Sequence, residues 1–93
     1  LLSEKPSLWF VYILRCRDNS LYTGITTNLE QRLHEHNHSP KGAKYTRGRR
    51  PVSLTYYEQQ STRSLASSRE YVIKHLKKSD KELLIEGFIF PEI

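Results

Sequence analysis

The stretch VYILRCRDNSLYTGIT, from Val11 to Thr26, reads as two short strands joined by a polar turn, with one tyrosine in each strand, Tyr12 and Tyr22. Leu8 to Cys16 is rich in β-branched and aromatic residues, the composition of a strand. Period-two alternation puts Trp9, Val11, Ile13 and Arg15 on one face and Phe10, Tyr12, Leu14 and Cys16 on the other. Asp18-Asn19-Ser20 is a turn signal, and Asn19 tolerates the left-handed conformation. Leu21 to Thr26 is the second strand. Tyr12 and Tyr22 can share a face only if the loop holds an odd number of residues. A three-residue loop with a left-handed residue near its end is a common hairpin, and Asn19 can supply that residue. The expectation is therefore a hairpin with both tyrosines on one face.

Downstream, Thr27-Asn28-Leu29-Glu30 has the form of a capping box and predicts a helix from Thr27 to about His38, before Pro40. Leu29 and Leu33 form its apolar stripe, and Arg32 and His36, four apart, lie together on one flank. A basic loop follows, with Gly42 and Gly48 as breakers. Val52 to Glu58 predicts a third strand. Ser61 or Thr62 caps a longer helix to about Lys78, with a stripe of Leu65, Val72, Ile73 and Leu76, Ala66 at its edge and Glu70 on its border. Ser79-Asp80-Lys81-Glu82 is a further capping box and predicts a short helix through Leu84 and Ile85. The segment from Gly87 onward carries no signal.

Length and composition bound the rest. The 93 residues predict a single domain, residues 1–93, with one modest core. One cysteine, Cys16, excludes an internal disulfide framework and suits a reducing cytosol. No apolar run is long enough to span a bilayer and no leader pattern is read, so the expectation is a cytoplasmic protein without a membrane partner. The sequence begins at Leu1, so the native N-terminus is expected to be missing or replaced. The net charge of +5 suggests an anionic partner, nucleic acid first. Its distribution says more. Lys41, Lys44, Arg47, Arg49 and Arg50 lie between Pro40 and Pro51 with no acid among them and Tyr45 inside the run. A cationic stretch with an aromatic in it fits a phosphate backbone.

Several chemistries find no support. Gly42 and Gly48 are followed by no G-K-[ST], as a phosphate-cradling P-loop requires. His34, His36 and His38 alternate, a spacing that points them in different directions on a helix, and Cys16 alone adds little toward a zinc site. No serine has a nucleophile-elbow context. Four groups remain, and each has a plain use. The tyrosines can be packing, and Arg32 with His36 a solvated flank beside Glu30 and Glu35. Glu70 can form a surface ion pair with Lys74, worth only ~0.3–0.5 kcal/mol, and the basic loop can be a solvated face. Together they form the set that phosphodiester hydrolysis uses: a base, a cation for the phosphate, a carboxylate for a metal and a basic track for the backbone.

The combination "VYIL" and, ten residues later, "YTG" resembles the two-part signature of the GIY-YIG nuclease superfamily. Val11-Tyr12-Ile13 stands for the first part in degenerate form, and Tyr22-Thr23-Gly24 for the second. "TTNLEQRLHEHN" is similar to the family's helix with its arginine, Arg32, and the histidine one turn on, His36. "KGAKYTRGRRP" and "SREYVIKHLKK" resemble the small single-domain bacterial branch of YhbQ-like proteins, in which Glu70 matches the metal-binding glutamate. The resemblance implies an α/β fold of the α+β kind, a small three-stranded antiparallel sheet flanked by helices, with a core of about residues 8–86. It implies an endonuclease that hydrolyses DNA phosphodiester bonds with a single divalent ion, Mg²⁺ or Mn²⁺, and a place in DNA repair or recombination. The implied catalytic set is Tyr12, Tyr22, Arg32, His36 and Glu70, with Glu70 as metal ligand. Lys41, Lys44, Tyr45, Arg47, Arg49 and Arg50 would bind the nucleic acid, with a protein partner supplying specificity.

Tyr12 or His36 is the first proton acceptor, and the sequence leaves both open. An unperturbed tyrosine, with its pKa of ~10, is almost wholly protonated near neutrality, and cations such as Arg32 and Lys44 are expected to lower that value. His36 starts near neutrality. One departure stands out: better-studied members often carry a late asparagine, whereas the asparagines here are Asn19, Asn28 and Asn37. The competing expectation is a catalytically weak or inactive nucleic-acid-binding module of the same fold, and a second is an interaction domain for a protein partner.

Overall fold

A computed structural model describes residues 8–90. Strand β1, Trp9–Arg15, pairs antiparallel with β2, Leu21–Thr26, and with β3, Ser53–Gln60, so that β1 is the central strand of a three-stranded sheet. Tyr12 lies opposite Gly24 and Leu14 opposite Tyr22, which puts both tyrosines on one face, as the alternation and turn predict. The turn closes through Cys16 N donating to Ser20 O at 2.8 Å and Asn19 N to Cys16 O at 2.9 Å, and Asn19 adopts φ 70°. Asn19 is thus the left-handed residue that ends a three-residue loop, Arg17 to Asn19. On the other side, Ile13 faces Tyr56 while Leu14 faces Leu54. Thr55 is the extra residue of this bulge, and its hydroxyl donates to Ile13 O at 3.0 Å.

Helices cover both faces. Helix α1, Leu29–His38, and the short helix α2, Lys44–Arg47, follow β2; α3, Arg63–Lys74, and α4, Lys78–Glu86, follow β3. One face of the sheet packs Val11 and Ile13 against Ala66 and Ile73 of α3, with Leu84 and Ile85 of α4 closing the cluster. The other packs Tyr12, Leu14, Cys16 and Val52 with Leu29 and Leu33 of α1. The three-stranded antiparallel sheet with flanking helices is the architecture expected.

The differences are local and have physical reasons. Helix α1 is capped by Asn28, whose side chain accepts from Gln31 N at 3.0 Å, one residue beyond the predicted Thr27. Asparagine caps at least as well as threonine, and here the Thr26 hydroxyl takes Asn28 N at 3.1 Å. The basic loop contains a helical turn, α2, that composition did not suggest. Thr62, not Ser61, caps α3 through Leu65 N at 3.1 Å. That helix ends at Lys74 rather than Lys78, because the chain must turn for Leu84 and Ile85 to reach the sheet. Ala66 and Ile73 are the buried residues of α3, whereas Leu65 and Val72 of the predicted stripe are half exposed, at 50% and 49%. The Ser79–Glu82 box does not cap α4, since the Glu82 carboxylate is held by the Arg15 guanidinium at 2.6 and 2.8 Å. Phe88, beyond Gly87, packs edge-on against Tyr56 and Tyr57.

Candidate active site

The hairpin face, helix α1 and the turn α2 converge on Tyr12. Tyr12 and His36 are both buried, at 2% and 0% exposure. The Tyr12 hydroxyl lies 2.8 Å from His36 Nε2, and His36 Nδ1 lies 2.8 Å from the Thr46 hydroxyl. Thr46, itself fully buried, donates its single hydroxyl proton to Ala43 O at 2.9 Å. Its oxygen can then only accept from His36, so the Nδ1–H tautomer is present and Nε2 carries a lone pair. That lone pair accepts the Tyr12 proton. One hydrogen-bonded chain therefore runs from Tyr12 through His36 and Thr46 to a backbone carbonyl. Thr46 carries no signal in the sequence, where it is one of many threonines; only the fold of α2 against α1 brings it to the imidazole.

Gly24 completes the cradle. A Cβ at this position would stand 2.5 Å from the Tyr12 hydroxyl and 2.7 Å from its ring carbon, so the glycine of the YTG triplet is what lets the ring lie across β2. Tyr22 lies beside the pair, its ring 6.4 Å from Tyr12 and 5.1 Å from His36. Arg32, one turn before His36, is held by Glu35 at 2.8 Å and Lys41 O at 2.9 Å, and it lies close enough to Tyr12 to act on its proton. Glu70 arrives from α3, across the sheet. Among the described residues its carboxylate has no hydrogen-bond or ion-pair partner, and the pair with Lys74 that spacing allows is not formed. Burial raises the hydroxyls of Tyr12 and Tyr22, and the Glu70 charge adds to the rise in both.

The electrostatics reverse two expectations. Burial outweighs the pull of Arg32 and pushes Tyr12 up to about 12, with Tyr22 and Glu70 adding to the rise. Burial, with Arg32 and Arg50 adding, pushes His36 down to about 4. Both groups are neutral near pH 7, because a charge on either loses its hydration. The His36 shift has a consequence for stability. The unfolded chain binds the proton near 6.5 and the folded one only near 4, so stability is lost as pH falls through that window. In His36→Gln the loss between pH 7 and pH 4.5 should be smaller than in wild type, as measured by urea unfolding. Parallel losses would show that His36 does not titrate in this way.

The basic segment is split in use. Arg50 turns inward and donates to His36 O and Ser39 O, both at 2.6 Å, which satisfies carbonyls at the end of α1. Arg49 lies 3.9 Å over the Tyr45 ring and pairs with Asp18 at 3.0 Å. Lys41, Lys44 and Arg47 are exposed, and Tyr45 is 39% exposed and stacks on Tyr22 at 6.0 Å. The sequence reading treats all five cations alike; the fold leaves Lys41, Lys44 and Arg47 facing solvent and commits the other two to internal bonds. Asn37 is likewise structural, its side-chain amide bonding both N and O of Val52 at 2.7 and 2.9 Å.

Glu70 is the residue whose chemistry suits a divalent ion: a carboxylate without a partner among the described residues, its charge felt at the two phenols. Among the described residues no group of three or more acidic, histidine or cysteine side chains could cage a metal. A lone carboxylate fits Mg²⁺, which keeps several waters and takes phosphate oxygens as ligands. No helix in the described residues is long and apolar enough to cross a membrane.

The sequence and the fold match those of known proteins. The GIY-YIG catalytic domain family matches residues 8–83. A UPF0213 protein of Desulfotalea psychrophila is 55% identical over 91% of this chain and 76% of its own length. The UPF0213 protein YhbQ of Escherichia coli is 46% identical over 91% of this chain and 85% of its own. The solution structure of a UPF0213 protein from Bacillus halodurans is 44% identical, with a TM-score of 0.54, covering 85% of this chain and 83% of that one.

Proposed function

We propose, from the premise that this chain belongs to the GIY-YIG catalytic domain family, that it is a metal-dependent DNA endonuclease with Tyr12, Tyr22, Arg32, His36 and Glu70 as its catalytic set. The observation that carries the reading is the buried hydrogen bond from Tyr12 to a histidine whose tautomer is fixed to accept. Any buried tyrosine hydroxyl needs a partner; what supports a chemical use is that this partner is an imidazole lone pair, a group able to take the proton.

In this mechanism Tyr12 meets the attacking water and His36 is the final proton acceptor. The water gives a proton to the Tyr12 oxygen while Tyr12 passes its own to His36 Nε2. With Tyr12 near 12 and His36 near 4, an isolated tyrosinate–imidazolium pair is strongly disfavoured, so the two transfers occur together. Burial is the main force against the imidazolium, with Arg32 and Arg50 adding, and the negative charge of the substrate phosphate offsets the arginines. Arg32 neutralises the phosphoryl oxygens, and Tyr22 orients the water or the phosphate. Glu70 would hold one Mg²⁺ or Mn²⁺ ion, which when bound supplies charge neutralisation at the leaving 3′ oxygen. Lys41, Lys44 and Arg47 track the backbone without reading sequence, so selectivity comes from DNA structure or from a partner protein. Repair and recombination intermediates in the cytoplasm are the DNA such an enzyme would meet.

The test is incubation of duplex, single-stranded and branched DNA at low salt with Mg²⁺, Mn²⁺ or EDTA, with analysis of the product ends. Metal-dependent cutting that leaves 5′-phosphate and 3′-hydroxyl ends is expected. Salt-dependent binding without cutting under any metal would favour a binding module instead. Thr46 makes a finer prediction as a positioning residue. Thr46→Val keeps the shape and removes the acceptor, and should slow cleavage by ~10–100-fold, while Thr46→Ser stays near wild type. Nitrogen NMR of His36 should show Nδ1 protonated in wild type and the tautomer lost in the valine variant; an unchanged tautomer would contradict the role.

A further inference from the structure

Strand β2 is an edge of the sheet, and a cleft of about 300 Å³ runs beside it, lined by Leu21, Tyr22, Thr23, Tyr45, Lys74 and Lys81. Its position follows from the fold: Tyr22 and Tyr45 come from the tyrosine face, Lys74 and Lys81 from α3 and α4 on the other. We propose that this cleft binds one unpaired nucleotide adjoining the scissile phosphate, its base against the aromatic wall and its phosphate on the two lysines. The proposal rests on the nuclease reading and names the structure of the substrate.

Two features of the cleft point to such a ligand. Tyr22 and Tyr45 stack at 6.0 Å with their planes 29° apart, and Arg49 over the Tyr45 ring holds the wall in place. Aromatic walls of this kind take any base and need no sequence readout. Opposite them, neither Lys74 nor Lys81 has a carboxylate partner among the described residues, although the neighbouring Lys78 pairs with Glu82 at 3.7 Å. Two cations left unneutralised beside an aromatic wall suit a phosphate. Thr23 is only 2% exposed, and its hydroxyl is the one buried side-chain oxygen or nitrogen without a hydrogen-bond partner among the described residues. That oxygen is closed to the cleft as well as to solvent, so the aromatic wall and the two lysines carry the proposal.

The cleft is also continuous with the catalytic set. Tyr22 belongs to both, and Lys74 lies four residues after Glu70, on the same side of α3. A strand whose scissile phosphate sits at Tyr12 and Glu70 therefore passes Lys74 next. A cleft of this volume has room for one nucleotide, and a base laid on its aromatic wall is one that has left its pair.

The test is binding by fluorescence anisotropy in EDTA, where no cutting occurs, using a single-stranded oligonucleotide and a blunt duplex of the same length. Wild type should bind the single strand more tightly. Lys74→Gln/Lys81→Gln, at an exposed and a half-buried position, should weaken single-strand binding by about tenfold and duplex binding by less than about twofold, with a shallower salt dependence for the single strand. Equal losses on both DNAs would reduce the lysines to a general backbone track and overturn the cleft proposal alone. So would no loss on either. Failure of wild type to bind any DNA would overturn the nuclease reading and the cleft together.

Discussion

Tyr12→Phe is expected to lower the single-turnover cleavage rate by ~10²–10³-fold, the range of a lost general acid–base group, with DNA affinity unchanged. The substitution removes one oxygen and keeps the ring that packs among Leu14, Cys16 and Val52. In the proposed mechanism it deletes the hydroxyl that stands between the attacking water and His36. His36 Nε2 loses its donor, 2.8 Å away in the wild type, and a buried acceptor left unpaired costs ~1–3 kcal/mol of stability. The protein should therefore stay folded at the assay temperature, and a rate loss is chemical. Retention of the wild-type rate would remove Tyr12 from the proton path and leave its tyrosine to packing. The measurement is a pair: quench-flow or gel-based single-turnover rates, and anisotropy binding in EDTA.

Gly24→Ala should do nearly the same damage from a residue with no functional group. Its Cβ would stand 2.5 Å from the Tyr12 hydroxyl, a separation that real Cβ atoms do not tolerate. Tyr12 is 2% exposed and closed in by Leu14 and the α1 side chains, so its ring has little room to move aside. Either the ring shifts and breaks the bond to His36, or β2 moves away from β1. Overpacking of this kind costs ~1–3 kcal/mol. The expected result is a rate at least ~10²-fold below wild type, together with a lower urea midpoint. The glycine's backbone is not the reason, since it does not adopt a positive φ. Gly48→Ala is the control: a Cβ there meets nothing, so rate and midpoint should hold. A fully active Gly24→Ala would mean that the Tyr12 position is not critical.

The hairpin and its tyrosine face were legible because two local signals agree there. Alternation set the faces, and one asparagine in the left-handed region set the register. Arg32, His36 and Glu70 were found through family likeness, and Arg32 with His36 also through helical spacing. Thr46 was not legible, because nothing local distinguishes it; its role exists only when α2 lies on α1. The inward turn of Arg50 was hidden for a related reason. A run of cations reads as one surface, and only the end of α1, with its unpaired carbonyls, separates Arg50 from Arg47. The break between α3 and α4 had no glycine or proline to mark it, since the sheet's need for Leu84 and Ile85 imposes it. The pKa expectations failed in sign for Tyr12 because the sequence shows neighbouring cations but not depth of burial, and burial is the larger effect.

The most direct measurement is the single-turnover cleavage rate of wild type and Glu70→Gln across a Mg²⁺ series, with binding of the same DNA followed in EDTA. Glu70 has no partner among the described residues, so its amide variant should fold and bind as wild type does. If this hairpin and its helices form a nuclease centre, wild type cuts with a rate that rises and saturates with Mg²⁺, and Glu70→Gln binds but does not cut. Equal rates for the two proteins, or no cutting by wild type at any Mg²⁺ concentration, would contradict it.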